Sequence, residues 1–289
     1  MKRNPSKILL LIPVLTVWFA GCKPEPKETP TKGKLNCLVD ESLFNVVKDE
    51  KDIFTDLYKE TNVELTTVKA REGIAAVFNG DAKMFVSSRN LNDEEKAFMK
   101  KSNSGVKVFK FSYDGLVLIV KNNESIDRIM IDDLKNLLLG VDKKYKITIP
   151  EQNSGVYEYL KNELLEGKEP VNVSIAQNEN EVINKIKEGR SVIGIVGFNA
   201  LKDFNEIKTL KIGIKENYST GTTYYEPHPG YFVNGEYPLM RANVILINEI
   251  GLRVASGFTT FLTSTEGQKI VLKNNLGPAA VPVKLNQIN

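Results

Sequence analysis

Four short segments carry residue types that could hold an anion. They are Asp40–Leu43 in "DESLFNVV", Ser87–Asn90 in "SSRN", the pair Asp114–Gly115, and Asn153–Val156 in "NSGV". Three of the four contain serine, each where an apolar run passes into a helical pattern. A serine there has two readings. As an N-cap, its hydroxyl accepts the first N–H groups of the helix. As a ligand group, it joins those N–H groups, which together carry about half a positive charge, in holding an anion. Capping accounts for each segment alone; jointly they point to several helix starts aimed at one guest. Asp114 is either an Asp-Gly turn residue or a carboxylate acceptor.

Other chemistries are poorly provided for. His228, in "YYEPHPG", is the only histidine and reads as a surface-loop residue. A zinc site built on paired histidines is excluded, and a Ser-His-Asp triad is hard to assemble. Cys22 and Cys37 are the only cysteines, so no disulfide framework or thiolate metal site can form. Cys37 sits in an apolar run and reads as a buried small hydrophobe. There is no P-loop and no G-x-S-x-G elbow. The acid pairs Asp132–Asp133 and Glu94–Glu95 fall at predicted helix starts, where acids suit the dipole. No catalytic activity, metal or cofactor is expected.

The elements that must position these residues alternate along the chain. Strands are expected at "KLNCLV", "VELTTVKA" and "AKMFVSS", each followed by a helical pattern. The run "VKVFKFSYDGLVLIVK" reads as a long strand interrupted at Asp114–Gly115. A second set follows: helices at "SIDRIMIDDLKNLLLG", "SGVYEYLKNELLEGK" and "ENEVINKIKEG", and strands at "KKYKITIP", "VNVSIA", "SVIGIVGF", "LKIGIKE" and "NVILIN". "GLRVASGFTTFLTSTEGQKIVLKNN" reads as helical, and Asn217 to Pro238 as the most loop-like part. This is the rhythm of α/β sheets flanked by helices, whose ligands gather beyond the carboxyl ends of the strands. At 289 residues, two domains are the natural expectation.

The N-terminus reads as a targeting segment. Lys2, Arg3 and Lys7 precede an apolar run from Ile8 to Ala20, too short to span a bilayer. It ends in "FAGC", similar to a bacterial lipobox with Phe19 in place of the usual leucine; residues 1–21 would be removed and Cys22 would carry lipid. "KPEPKETPTKGK" then reads as a flexible tether, residues 22–34 in all. Without residues 1–21, the 39 basic residues fall to 36 against 36 acidic ones. The processed chain is formally neutral, with no basic stripe for nucleic acid.

The order "DESL…SSRNL…YDG…NSGVYEYL…IGIVGF…YPLMR…STEGQKIVLKNNLGPAAVP" resembles the phosphate-binding proteins of bacterial ABC importers, within the type 2 periplasmic binding-protein superfamily. The likeness runs from about Leu35 to Pro282. It implies two α/β lobes, each a mixed sheet flanked by helices, joined by two crossovers. Lobe one would be 35–113 plus 240–289 and lobe two 114–239. The resemblance further implies a monomer in the cell envelope that serves ABC permease subunits and is held to the membrane through Cys22.

Carried over by position, Ser42 and the Leu43 amide would face the anion at the first helix start, with Ser42 also capping that helix. Ser88 would add a hydroxyl and Arg89 a cation, and Asp114 would accept the proton of a protonated phosphate. Ser154 and Gly155 would open the second-lobe helix. Relatives carry hydroxyl residues where Gly155 and Val156 stand, and an arginine near this helix start, where the chain has Glu158. These departures predict weak phosphate binding, compensation by Arg89, or a different anion.

Overall fold

The structure is a computed structural model that describes residues 27–201, 205–215 and 221–279. The expected signal segment and Cys22 lie outside the described residues. None of the helices among the described residues is long and apolar enough to cross a membrane.

The first strand, β1 (Gly33–Asp40), pairs in parallel with β2 (Thr61–Val68) and β3 (Met84–Ser87), with α1 (Phe44–Leu57) and α2 (Ala70–Asn79) between them. After α3 (Asp93–Ser102) comes β4 (Lys107–Lys121). Beyond it lie β5 (Arg128–Met130), α4 (Ile131–Leu138), β6 (Ile147–Pro150), α5 (Gly155–Tyr159), β7 (Val173–Ala176), α6 (Glu179–Lys187) and β8 (Ile193–Gly197). The short strands β9 (Ile207–Thr209), β10 (Lys211–Lys215) and β11 (Thr222–Tyr225) lead to α7 (Pro229–Asn234) and the returning strand β12 (Met240–Ile247). The chain continues through α8 (Val254–Leu262), α9 (Thr265–Lys273) and β13 (Gly277–Pro278).

The long strand β4 explains how two lobes share one sheet. Its first part pairs antiparallel with β12, and its second part pairs with β8 and β9. The strand order is therefore continuous, β2-β1-β3-β12-β4-β8-β6-β7. Leu116 to Val120 are fully buried, as expected of a strand covered on both faces. One apolar core gathers residues between Leu116 and Leu239; two others gather residues from 35–111 and 244–276. Where the chain returns, Leu116 N donates to Leu239 O at 2.9 Å and the Tyr237 hydroxyl to Leu116 O at 3.0 Å.

Several expectations are corrected. β4 is not interrupted at Asp114–Gly115; glycine is needed there because a Cβ would overlap the Phe232 ring. "SIDRIM" holds β5 rather than the start of a helix, and the helix from Gly155 passes into a π-helical turn at Leu160–Leu164. The stretch expected to be loop-like contains β11 and α7, with His228 as N-cap, its Nδ1 accepting Gly230 N. The C-terminal helical pattern is two helices, because Ser264 caps a second one by accepting Gly267 N. The last residues of the expected tether are packed: Pro30 lies against Gly257 of α8, and β1 begins at Gly33.

Burial also sets a pH dependence. The inner face of α1 presents Val46, Val47, Glu50 and Phe54, spaced for one helix stripe. Glu50 is fully buried with both carboxyl oxygens unpartnered among the described residues. Burial first, and Asp49 second, push its pKa from 4.5 to about 9. The folded state thus keeps a proton that the unfolded state releases, so stability falls as pH rises from about 4.5 towards 9. Glu50→Gln is expected to flatten that fall and add about 2 kcal/mol at pH 8. Urea denaturation of both proteins at pH 5 and pH 8 checks this; parallel pH trends would refute it.

Candidate functional site

Where β1 ends, Asp40 is almost fully buried, and its Oδ1 accepts the Ser42 amide at 3.0 Å and the Ser42 hydroxyl at 2.8 Å. Asp40 is therefore the cap, and the expectation that Ser42 caps the helix is corrected. Its hydroxyl is a donor turned onto the aspartate. Leu43 is fully buried and takes the N-cap position of α1 without a side-chain bond.

Where β3 ends, the Ser87 hydroxyl donates to Arg89 O at 2.8 Å and accepts Arg89 N at 3.3 Å, which closes a tight turn. This turn carries Ser88 into the interior with its hydroxyl unpartnered. Arg89 was expected to be a cation facing the ligand. Instead its guanidinium grips Glu95, with NH1 and NH2 each 2.7 Å from a carboxylate oxygen. NH2 also lies 3.6 Å from Glu158, leaving only Nε without a partner. Glu158 in turn is buried, with Arg71 at 3.8 Å and Asn162 donating at 3.2 Å. Glu158 is thus faced by two arginines of lobe one.

Asp114 faces an arginine the sequence reading did not assign. Arg241 stands directly opposite on the antiparallel strand β12, so the two side chains share one face. Arg241 Nε and NH2 donate to Asp114 Oδ2 at 3.2 and 2.8 Å, and both residues are buried. Asp114 Oδ1 and Arg241 NH1 remain unpartnered.

From lobe two, Ser154 caps α5 by accepting Tyr157 N at 3.2 Å. Gly155 beside it touches lobe one so closely that a Cβ would overlap the Ser88 hydroxyl and lie 3.2 Å from Arg241 NH1. After β8, a Cβ at Gly197 would lie 2.7–2.8 Å from Arg241 NH2, Asn199 Oδ1 and Asp114 Oδ2. Asn199 Nδ2 donates across the lobes to Ser42 O at 2.6 Å. Glu179, which opens α6, accepts Gly197 N at 2.7 Å. Ser42, Glu179 and Asn199 line one cavity of about 130 Å³, and Arg89, Glu158 and Arg241 another of about 280 Å³.

The lobes therefore meet at one locus, and unsatisfied polar atoms mark it. At this locus Ser88 Oγ, Arg89 Nε and Arg241 NH1 are buried donors without partners among the described residues, and Asp40 Oδ2, Asp114 Oδ1 and Asn199 Oδ1 are buried acceptors without them; the other such atoms belong to Glu50, Ser104, Asn243 and Thr259. Orphaned buried groups are rare in folded proteins and costly. Their clustering between the lobes suits a guest that both accepts and donates. Two cross-lobe clasps flank the site. Lys69 Nζ reaches Glu41 at 2.7 Å, Glu151 at 2.9 Å and Gln177 O at 2.8 Å, and Arg71 N donates to Asn153 O at 3.4 Å.

Charge in the locus is mixed. Burial opposes the charge on Arg241, but Asp114, Glu179 and Asp40 outweigh it and raise its pKa further. Burial lifts Glu179 from 4.5 to about 7; Arg241 and the Gly197 amide pull it down, and Asp114 and Asp40 push it up.

Of the expected ligand residues, Ser88, Asp114, Ser154 and Gly155 come together, and Ser42 joins them through Asp40 and Asn199. Arg89 is diverted to Glu95 and Glu158. Sequence reasoning missed Arg241, Asp40, Glu179 and Asn199. A charged residue at the head of an apolar strand, as in "MRANVILI", is the one local signal that could have flagged Arg241.

Comparison with known proteins agrees with this architecture. A PBP superfamily domain matches residues 24–266. Among solved structures, a putative phosphate ABC transporter substrate-binding protein with bound phosphate from Clostridium perfringens is 21% identical, with a TM-score of 0.72 over 86% of this chain and 100% of that one. An ABC-type phosphate transport receptor from Vibrio cholerae is 16% identical, with a TM-score of 0.66 over 86% and 100% of the two chains. PstS from Borrelia burgdorferi is 21% identical, with a TM-score of 0.56 over 86% and 99%. No curated protein matches the chain. With two α/β lobes sharing strand β4 and a buried polar locus between them, the chain belongs to the periplasmic binding-protein (PBP) superfamily.

Proposed function

We propose that this protein is a solute receptor that closes its lobes on protonated phosphate and delivers it to an ABC permease. The observation that carries the reading is the set of three orphaned donors and three orphaned acceptors buried between the lobes. Phosphate oxygens need donors, and the donors best suited are the Ser88 hydroxyl, Arg241 NH1, the Ser154 hydroxyl and the amides of Leu43 and Gly155, since the Ser42 amide and hydroxyl already donate to Asp40. A phosphate proton needs an acceptor, which Asp114 Oδ1 supplies. Sulfate at neutral pH has no such proton and would set bare oxygens against Asp114 and Asp40, so the site would reject it. The structural neighbours named for phosphate support the same assignment.

The remainder of the reading concerns placement and motion. Residues 1–21 direct export, lipid on Cys22 holds the protein at the envelope membrane, and the receptor works as a monomer without enzymatic activity. Lobe one, 35–113 with 240–289, and lobe two, 114–239, swing about β4 and the chain near Met240.

Calorimetric titration with phosphate and sulfate tests this. Heat is expected with phosphate alone; silence at millimolar phosphate refutes the ligand. Phosphate affinity should fall as pH rises through about 7, because Glu179 then ionises beside Asp40 and Asp114. Glu179→Gln should remove about tenfold of that fall between pH 6 and 8. A second reading, a receptor for another small protonated anion that feeds no permease, is favoured by the excess of Asp40, Asp114 and Glu179 over Arg241. Native mass spectrometry of protein purified without phosphate would reveal that guest.

A further inference from the structure

We propose that the base of lobe one, at the end of its sheet away from the cleft, is a docking surface for anionic lipid headgroups. The strands β1 and β2 and the residue before β3 begin here. β1 carries the chain roughly 25 Å from this base to Asp40 at the cleft. An open hollow of about 1100 Å³ lies at the base. Six cations line it: Lys27, Lys32, Lys34, Lys59, Lys83 and Arg253. Only two lining residues are acidic. Glu60 pairs with Lys32 at 2.8 Å, and Glu28 with Arg253 at 3.2 Å and Lys83 at 3.8 Å. At its edge Asp56 pairs with Lys59, while Glu249 is turned to the start of α8, accepting Ala255 N and Ser256 N. The hollow therefore keeps an excess of positive charge in a processed chain that is neutral as a whole.

Its apolar residues are equally out of place. Ile250 and Leu252 flank Gly251, which has φ of 81°, and are 89% and 73% exposed. Two large aliphatic side chains on a turn tip beside lysines form the pattern of an interfacial contact: cations meet headgroups and the apolar tip enters the acyl boundary. The direction of the chain decides between a bilayer and another occupant. Lys27 lines this hollow, so the preceding segment, with its apolar run Ile8–Ala20, leaves from this face. Cys22 is five residues upstream, at most about 18 Å of extended chain. The inference rests on the membrane tether proposed above: a tether that short brings this face, and no other, against the lipid. Seated so, lobe one would hold the cleft away from the bilayer, open to capture.

The test uses the processed, lipid-bearing chain carrying Leu252→Trp; with residues 1–21 and Trp18 removed, its only indole stands at the turn tip. The protein is reconstituted into phosphatidylcholine vesicles or into vesicles that also contain phosphatidylglycerol. Expected with phosphatidylglycerol are a blue-shifted emission and quenching by brominated lipid, both reversed by high salt. Little of either is expected with phosphatidylcholine alone. The exposed-site triple variant Lys59→Glu, Lys83→Glu and Arg253→Glu should lower the quenching at least fivefold while its thermal melt stays cooperative. Equal emission in both vesicle types, or unchanged quenching in the triple variant, overturns the proposal. So does an emission shift given by an acidic polypeptide such as polyglutamate but not by phosphatidylglycerol. Sedimentation reads the tether separately: protein that pellets with neither vesicle overturns the tether, and protein that pellets with both but shows no shift overturns only the docking surface.

Discussion

Replacing Arg241 with methionine is expected to lower phosphate affinity at least a hundredfold and to destabilise the fold by about 3–5 kcal/mol. The two losses have different causes. Stability falls because Asp114, fully buried, would lose the guanidinium that donates to it at 2.8 and 3.2 Å and be left without a partner. Affinity falls because Arg241 NH1, a guanidinium nitrogen without a partner among the described residues, lies where Gly155 meets Ser88. The two effects can be separated. Replacing both partners, Arg241→Met with Asp114→Leu, substitutes an apolar pair for the ion pair and should recover most of the stability. It should not recover binding. Urea denaturation alongside calorimetry reads both quantities, and a double variant that binds phosphate like the parent protein would remove the pair from the ligand site.

Gly155→Ala should weaken phosphate binding at least a hundredfold and leave the stability of the unliganded protein within about 0.5 kcal/mol. The reason is geometric. The added methyl group would meet the Ser88 hydroxyl and Arg241 NH1, groups that belong to the other side of the cleft. In an opened protein the methyl group faces solvent and harms nothing. It obstructs only closure, so the variant should fold and melt normally but fail to become compact with ligand in small-angle scattering. Ser88→Gly in the same chain relieves the overlap and should restore compaction, though with affinity reduced by the missing hydroxyl. Normal closure of the alanine variant would show that lobe contact at Gly155 is not required. The same geometry explains why this chain needs glycine here: Ser88 and Arg241 occupy the room a side chain would need.

Much of this was legible locally. The apolar runs in "KLNCLV" and "SVIGIVGF" and the serine at the helix start, Ser154, depend only on residues a few positions apart. They placed strands and helices to within a few residues, and with them the strand ends where a site must lie. Errors came where one pattern served two structures. "SIDRIM" carries apolar spacing that suits a helix, yet pairing with β10 draws Arg128–Met130 into a sheet. Asp114–Gly115 has turn chemistry, yet neighbours on both sides hold β4 straight through it.

The sequence by itself determined the α/β class, the resemblance to anion receptors and the serine-bearing strand ends. Only the tertiary structure decided how their charges are paired. Arg241 meets Asp114 across 127 positions, Arg89 turns to Glu95 and Glu158, and Asn199 reaches Ser42 across 157. Such pairings depend on strand register and on how the lobes close, and neither leaves a trace in local spacing, because a carboxylate is satisfied equally well by any cation the fold brings within reach.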